Sequence, residues 1–128
     1  MTMSARLNDL RARFPGCAIA VFADLSTGMV LVSSTTERVG QETFDALCRD
    51  GGRCFAPDMP DVFNARGHGQ TVAGAWYAVS RFHDKTACHV RSPVLGEEAL
   101  CFLCEEGCDI DGLVNAARTV LTETGVDA

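Results

Sequence analysis

Apolar residues recur with helical spacing in three segments of the chain: near its start, between residues 41 and 50, and near its end. Helices are therefore predicted over 4–14, 41–50 and 109–125. Their apolar faces consist of Leu7, Leu10 and Phe14 in the first helix, Phe44, Leu47 and Cys48 in the second, and Leu113, Val114, Ala117, Val120 and Leu121 in the third. Ser4 is expected to cap the first helix, and Asp109 or Asp111 the last. Gly51-Gly52 is expected to end the second.

Apolar runs of strand length predict five β-strands. The run from Cys17 to Asp24 is apolar on both of its alternating faces, as in a strand inside a sheet that is covered on both sides. A turn that ends in Gly28 joins it to a return strand over 29–34. The second half of the chain predicts a meander of three further strands over 72–82, 86–92 and 99–105.

The connection between the two halves, from Gly51 to Thr71, is rich in glycine, proline and polar residues. A connection of this length without structure is unusual in a compact domain, so a short helix capped by Asp58 is expected within it. The full order is then helix, two strands, helix, connection, three strands, helix. It predicts an α+β class with a five-stranded antiparallel sheet and helices on its faces, in one domain over 1–128.

The charge and length of the chain narrow its possible functions. A net charge of −6 opposes binding to nucleic acid or to an anionic membrane surface, since both need a basic surface. No stretch approaches the roughly 18 apolar residues that span a bilayer, and residues 1–14 lack the pattern of a secretory signal. A cytoplasmic protein is therefore predicted. The seven cysteines are an odd number, which favours reduced thiols over a disulfide framework.

The hairpin from Ala20 to Ser34 resembles the roadblock/dynein-light-chain family, whose members are profilin-like domains. The matching features are Asp24 and Gly28 in the turn and the apolar run Val30-Leu31-Val32 that follows. The resemblance implies a noncatalytic module that forms a homodimer through its second helix and third strand. In bacteria such modules often regulate or scaffold a small GTPase. The implied partners are a second copy and a small GTPase or another protein.

Carried over by position, the dimer surface would involve residues 41–49 and 75–82. The candidate interface residues are Phe44, Leu47, Cys48, Trp76, Tyr77 and Ala78. Because Trp76 and Tyr77 are neighbours on a predicted strand, their side chains are expected to point in opposite directions.

The candidate chemistry lies in Cys101-Phe-Leu-Cys104 and the nearby Cys108, since clustered thiolates can hold zinc or an iron–sulfur cluster. Strand alternation places Cys101 and Cys104 on opposite faces, so neither a metal nor another cofactor is predicted. Cys108 lies close to the start of the last helix and is the candidate for the most reactive thiol. The alternative function is a PAS- or GAF-like sensor of a small ligand, metal or redox state that uses these cysteines. No catalytic pair is recognisable, so an enzyme is not predicted.

Overall fold

The computed structural model describes residues 2–36, 38–54, 71–73, 76–82, 84–92 and 97–127. Their helices are α1 (Met3–Arg13), α2 (Gln41–Cys54) and α3 (Ile110–Asp127), and their strands are β1 (Cys17–Asp24), β2 (Met29–Thr35), β3 (Thr71–Ala73), β4 (Tyr77–Phe82), β5 (Lys85–Arg91) and β6 (Glu98–Glu105). None of these helices is both long enough and apolar enough to cross a membrane.

The strands form one antiparallel sheet in the order β2-β1-β6-β5-β4-β3, which confirms the α+β class. The sheet has six strands because the segment predicted as one strand over 72–82 reverses direction. Val72 on β3 pairs with Val79 on β4. Every residue from Val72 to Val79 except Gly74 has an apolar side chain, so the hydrophobic pattern does not reveal the reversal.

Two apolar cores lie on opposite faces of the sheet. The α1–α3 core contains Leu7, Leu10, Cys17, Ala20, Phe22, Cys88, Val90, Leu100, Phe102, Cys104, Leu113, Val114, Ala117, Val120 and Leu121. The α2 core contains Ile19, Val21, Ala23, Leu47, Cys48, Ala87, Ala99 and Cys101. β1 contributes alternate residues to both cores, which confirms that it is a central strand covered on both sides.

Two helix boundaries differ from the prediction. The cap of α1 is Thr2 and not Ser4, because the Ala5 N–H donates to Thr2 Oγ1 at 3.2 Å. α2 continues through Gly51-Gly52 to its last residue, Cys54. A glycine in a helix costs only about 1 kcal/mol relative to alanine, so the pair does not by itself end the helix. The short helix predicted after Asp58 lies outside the described residues.

The predicted cap Asp109 is confirmed at the start of α3, where its Oδ1 accepts from the Gly112 N–H at 3.1 Å. Asp109→Ala is expected to lower the free energy of unfolding by about 0.5–2 kcal/mol, because the amide loses its acceptor. Asp109→Asn keeps a capping oxygen and is the matched control. Urea denaturation of the two variants checks this, and equal losses in both would contradict a capping role.

Candidate functional site

A surface cleft of about 280 Å³ lies between α2 and the strands β5 and β6, and we call it the α2 cleft. It is lined by Glu42, Thr43, Ala46, Leu47, Asp50, Ala87 and Leu103. Leu47, Ala87 and Leu103 are apolar, whereas Glu42 and Asp50 carry carboxylates. No Lys or Arg is among these lining residues. The cleft is slightly below the usual volume of a small-molecule pocket, about 300–1,000 Å³, and its lining combines apolar side chains with two acidic ones.

The position of α2 is set by a buried histidine on β5. Nε2 of His89 lies 3.0 Å from the carbonyl oxygen of Leu47. A carbonyl only accepts, so Nε2 carries the proton and donates. Nδ1 of His89 has no hydrogen-bond partner among the described residues, and the side chain is fully buried. Burial lowers the pKa of His89 because it penalises the charged imidazolium. The neutral ring therefore holds α2 against the sheet.

The structure does not bring the six candidate interface residues onto one surface. Leu47 and Cys48 on α2 and Ala78 on β4 are buried inside the protomer. Phe44 is half-buried at the margin of the α2 core. The participation of these residues in a dimer stays a prediction.

Trp76 and Tyr77 do not point in opposite directions, and that expectation was wrong. Their ring centroids are 4.8 Å apart, and both rings pack against the α1–α3 core. Trp76 lies at a bend before β4, so strand alternation does not apply to it. The guanidinium carbon of Arg118 on α3 lies 4.5 Å from the centroid of the Trp76 ring, at cation–π distance. These two rings therefore lie on the face of the sheet opposite α2.

Cys101 and Cys104 lie in different cores, which confirms the prediction that they occupy opposite faces of their strand. Cys104 instead meets three other thiols, Cys17, Cys88 and Cys108, and it hydrogen-bonds with each of them. We call these four residues the thiol cluster. No three His, Cys, Asp or Glu side chains in the described part of the chain are placed to hold a metal ion.

Three thiols of the cluster, Cys17, Cys104 and Cys108, have pKa values above the ordinary value of a cysteine and are protonated at neutral pH. The hydrogen bond to Cys104 and burial both raise the pKa of Cys17. A hydrogen bond with Cys17 lowers the pKa of Cys104, but the hydrogen bond with Cys88 and burial outweigh it, so the net shift is upward. Burial also raises the pKa of Cys108. The place of Cys108 near the start of α3 therefore does not lower its pKa, and its reactivity relative to the other thiols stays a prediction. Cys108 is nevertheless the only half-buried thiol among the cysteines whose side chains are described.

No protein-family model matches the sequence, and no curated protein matches it. Solved structures do resemble it. A Roadblock/LC7 domain from Streptomyces avermitilis has 12% sequence identity and a TM-score of 0.67, with 97% of this chain and 95% of that chain covered. MglC from Myxococcus xanthus has 6% identity and a TM-score of 0.62, with 100% of both chains covered. Profilin II from Acanthamoeba castellanii has 11% identity and a TM-score of 0.66, with 98% of both chains covered. The chain thus has a roadblock-like, profilin-like fold.

Proposed function

We propose that this roadblock-like chain is a noncatalytic, homodimeric interaction module that regulates or scaffolds a small GTPase in the cytoplasm. The observation that carries the proposal is the fold, which a Roadblock/LC7 domain shares over 97% of the chain. The α2 cleft adds a recognition surface on the helix that the family resemblance assigns to dimerisation. Its two carboxylates favour a partner that presents a basic side chain beside an apolar one.

The proposed self-association uses the α2 side of the sheet. Phe44 is an aromatic side chain at the margin of the α2 core, and aromatic residues including phenylalanine are enriched in protein–protein interfaces. β3 covers the outer edge of β4 at residues 78–80. α2 packs on β2, β1, β6 and β5, so a second copy that meets α2 would lie over these strands and not at the β3 edge.

Phe44→Glu is expected to weaken the dimer, because it places a charge in an apolar interface. The loss of an aromatic anchor costs about 2 kcal/mol or more, which is about a 30-fold rise in the dimer dissociation constant. Sedimentation equilibrium over a range of concentrations measures this. The wild-type protein is expected to approach the mass of two 13.7 kDa chains.

Leu31→Glu is the matched control, because Leu31 is an exposed apolar residue that lies outside α2, on the edge strand β2. It is expected to leave the dissociation constant unchanged. A monomeric wild-type protein at all concentrations would contradict the proposed dimer, and so would equal weakening by the two variants. Circular dichroism spectra show whether both variants are folded.

The GTPase part of the proposal has its own test. The purified protein is immobilised and exposed to cell extract loaded with GDP or with a non-hydrolysable GTP analogue, and the bound proteins are identified by mass spectrometry. Enrichment of one small GTPase in one nucleotide state, and its loss on the Glu42→Arg variant of the α2 cleft, would support the proposal. If no small GTPase is retained in either state, this part fails while the dimer can still stand.

A further inference from the structure

Two thiols of the cluster face each other directly across neighbouring strands. Cys17 on β1 is paired with Cys104 on β6. The Glu105 N–H donates to the Gly16 carbonyl at 2.8 Å, whereas the Cys17 N–H donates to Phe14 at 3.1 Å. This pattern makes Cys17 and Cys104 a non-hydrogen-bonded pair, the type in which side chains approach most closely.

The spacing of such a pair matches the requirement of a disulfide. The Cα atoms of a non-hydrogen-bonded antiparallel pair lie about 4.5 Å apart. A disulfide closes over Cα separations of about 4.4–6.8 Å. The Cys17 and Cys104 side chains also lie in the same core, on one face of the sheet. The register therefore places Cys17 and Cys104 where a disulfide between β1 and β6 can form.

Access to the cluster runs through Cys108. The other three thiols are buried, but Cys108 is half-buried and lines a surface cleft of about 120 Å³ together with Arg81 and Lys85. Cys108 is therefore the thiol of the cluster that a small oxidant can reach from solvent. Gly16 is what lets Cys108 lie so close to β1, because a Cβ atom at this glycine would be 3.1 Å from the Cβ of Cys108.

We propose that the thiol cluster is a site of reversible oxidation by hydrogen peroxide, in which Cys108 reacts first and Cys104 closes the disulfide. In the small fraction of molecules in which Cys108 has lost its proton to solvent, the thiolate sulfur attacks one peroxide oxygen. The O–O bond breaks, Cys108 becomes a sulfenic acid, and hydroxide leaves and takes up a proton to form water. The Cys104 sulfur then attacks the Cys108 sulfur, an S–S bond forms, and the sulfenic oxygen leaves as a second water with the Cys104 proton.

The balance is two thiols and one peroxide giving one disulfide and two waters, so the thiols lose the two electrons that the peroxide gains. Cys17 can next attack the Cys104 sulfur of this bond. That exchange moves the disulfide to the facing pair Cys17–Cys104 and returns Cys108 to a thiol, with the Cys17 proton passing to it and no further oxidant consumed.

Intact-protein mass spectrometry after treatment with hydrogen peroxide tests the proposal. The reduced wild-type protein is expected to lose the mass of two hydrogen atoms, and dithiothreitol is expected to restore it. Peptide mapping after alkylation of the remaining thiols is expected to place Cys104 in the disulfide, joined to Cys108 or Cys17. Because this mapping uses the wild-type protein, its result does not depend on whether a cysteine variant folds correctly.

Cys104→Ala and Cys101→Ala are a matched pair, because both residues are fully buried on β6 but lie on opposite faces of the sheet. Cys104→Ala is expected to form no intramolecular disulfide and to accumulate a sulfenic acid at Cys108 that dimedone traps. Cys101→Ala is expected to form the disulfide at the wild-type rate. Cys108→Ala is expected to form a disulfide about tenfold or more slowly than the wild type. The proposal would be overturned if the wild-type protein formed no disulfide or formed one that does not contain Cys104. It would also be overturned if Cys104→Ala formed a disulfide at the wild-type rate.

Discussion

Replacement of Phe102 by alanine is expected to lower the free energy of unfolding by about 3–5 kcal/mol. Phe102 is fully buried on β6 and has register partners on both sides, Ala20 on β1 and Cys88 on β5. Its ring lies in the α1–α3 core, with residues of both helices around it. Since Ala20 is small and both neighbouring strands are fixed in the sheet, the surroundings have little freedom to fill the cavity.

Chemical denaturation followed by circular dichroism measures this loss, which is a large part of the 5–15 kcal/mol or so that stabilises a typical domain. Met29→Ala is the control, because Met29 is 58% exposed on the edge strand β2 and is expected to change stability by less than about 0.5 kcal/mol. A loss below about 1 kcal/mol in Phe102→Ala would show that the core closes around the gap.

The second large effect concerns pH. Burial holds the pKa of His89 below its usual value of 6.5 in the folded state. As the pH falls below that value, the unfolded chain therefore takes up a proton before the folded protein does. The stabilisation by the neutral ring is complete above pH 6.5 and is lost as the pH falls towards the lower folded-state pKa. Within this window the slope approaches at most about 1.4 kcal/mol per pH unit, the value for one proton.

His89→Gln isolates this contribution, because its amide can still donate to the Leu47 carbonyl but does not titrate. Denaturation of both proteins from pH 8 to pH 5 is expected to show a steeper loss of stability in the wild type. The other titrating groups cancel in the difference between the two proteins. A difference that does not vary with pH would show that His89 is not protonated on unfolding.

The hydrophobic pattern was sufficient for elements whose faces are continuous. β1 lies at its predicted bounds, Cys17–Asp24, because an eight-residue run with both faces apolar is typical of a strand that is buried on both sides. The start of α3 was predictable for the same kind of local reason, since Asp109 precedes an apolar stripe with helical spacing. The reversal between β3 and β4 was not, because it falls within a largely apolar segment.

The candidate sites depend on which strands are neighbours, and a single sequence does not contain that information directly. Cys101 and Cys104 attracted attention because they are close in sequence, yet they lie in different cores. Cys17 and Cys88 are far from Cys104 along the chain and meet it only through the pairing of β1, β5 and β6. The α2 cleft was likewise hidden, because Leu103 is distant in sequence from the helix above it.

Because both faces of β1 are apolar, its own side chains do not determine its register against the neighbouring strands. Phe22 lies in the α1–α3 core and Ile19 in the α2 core, so a slip by one residue would exchange two apolar sets. The pairing of β1 is irregular at two positions. One lies between Phe22 and Ala23, where β1 faces β2, and the other lies between Cys17 and Ile19, where it faces β6. A strand that had slipped by one residue would no longer match its neighbours at these positions. We therefore expect the two irregular positions, and not the side chains of β1, to fix how this strand aligns with its neighbours.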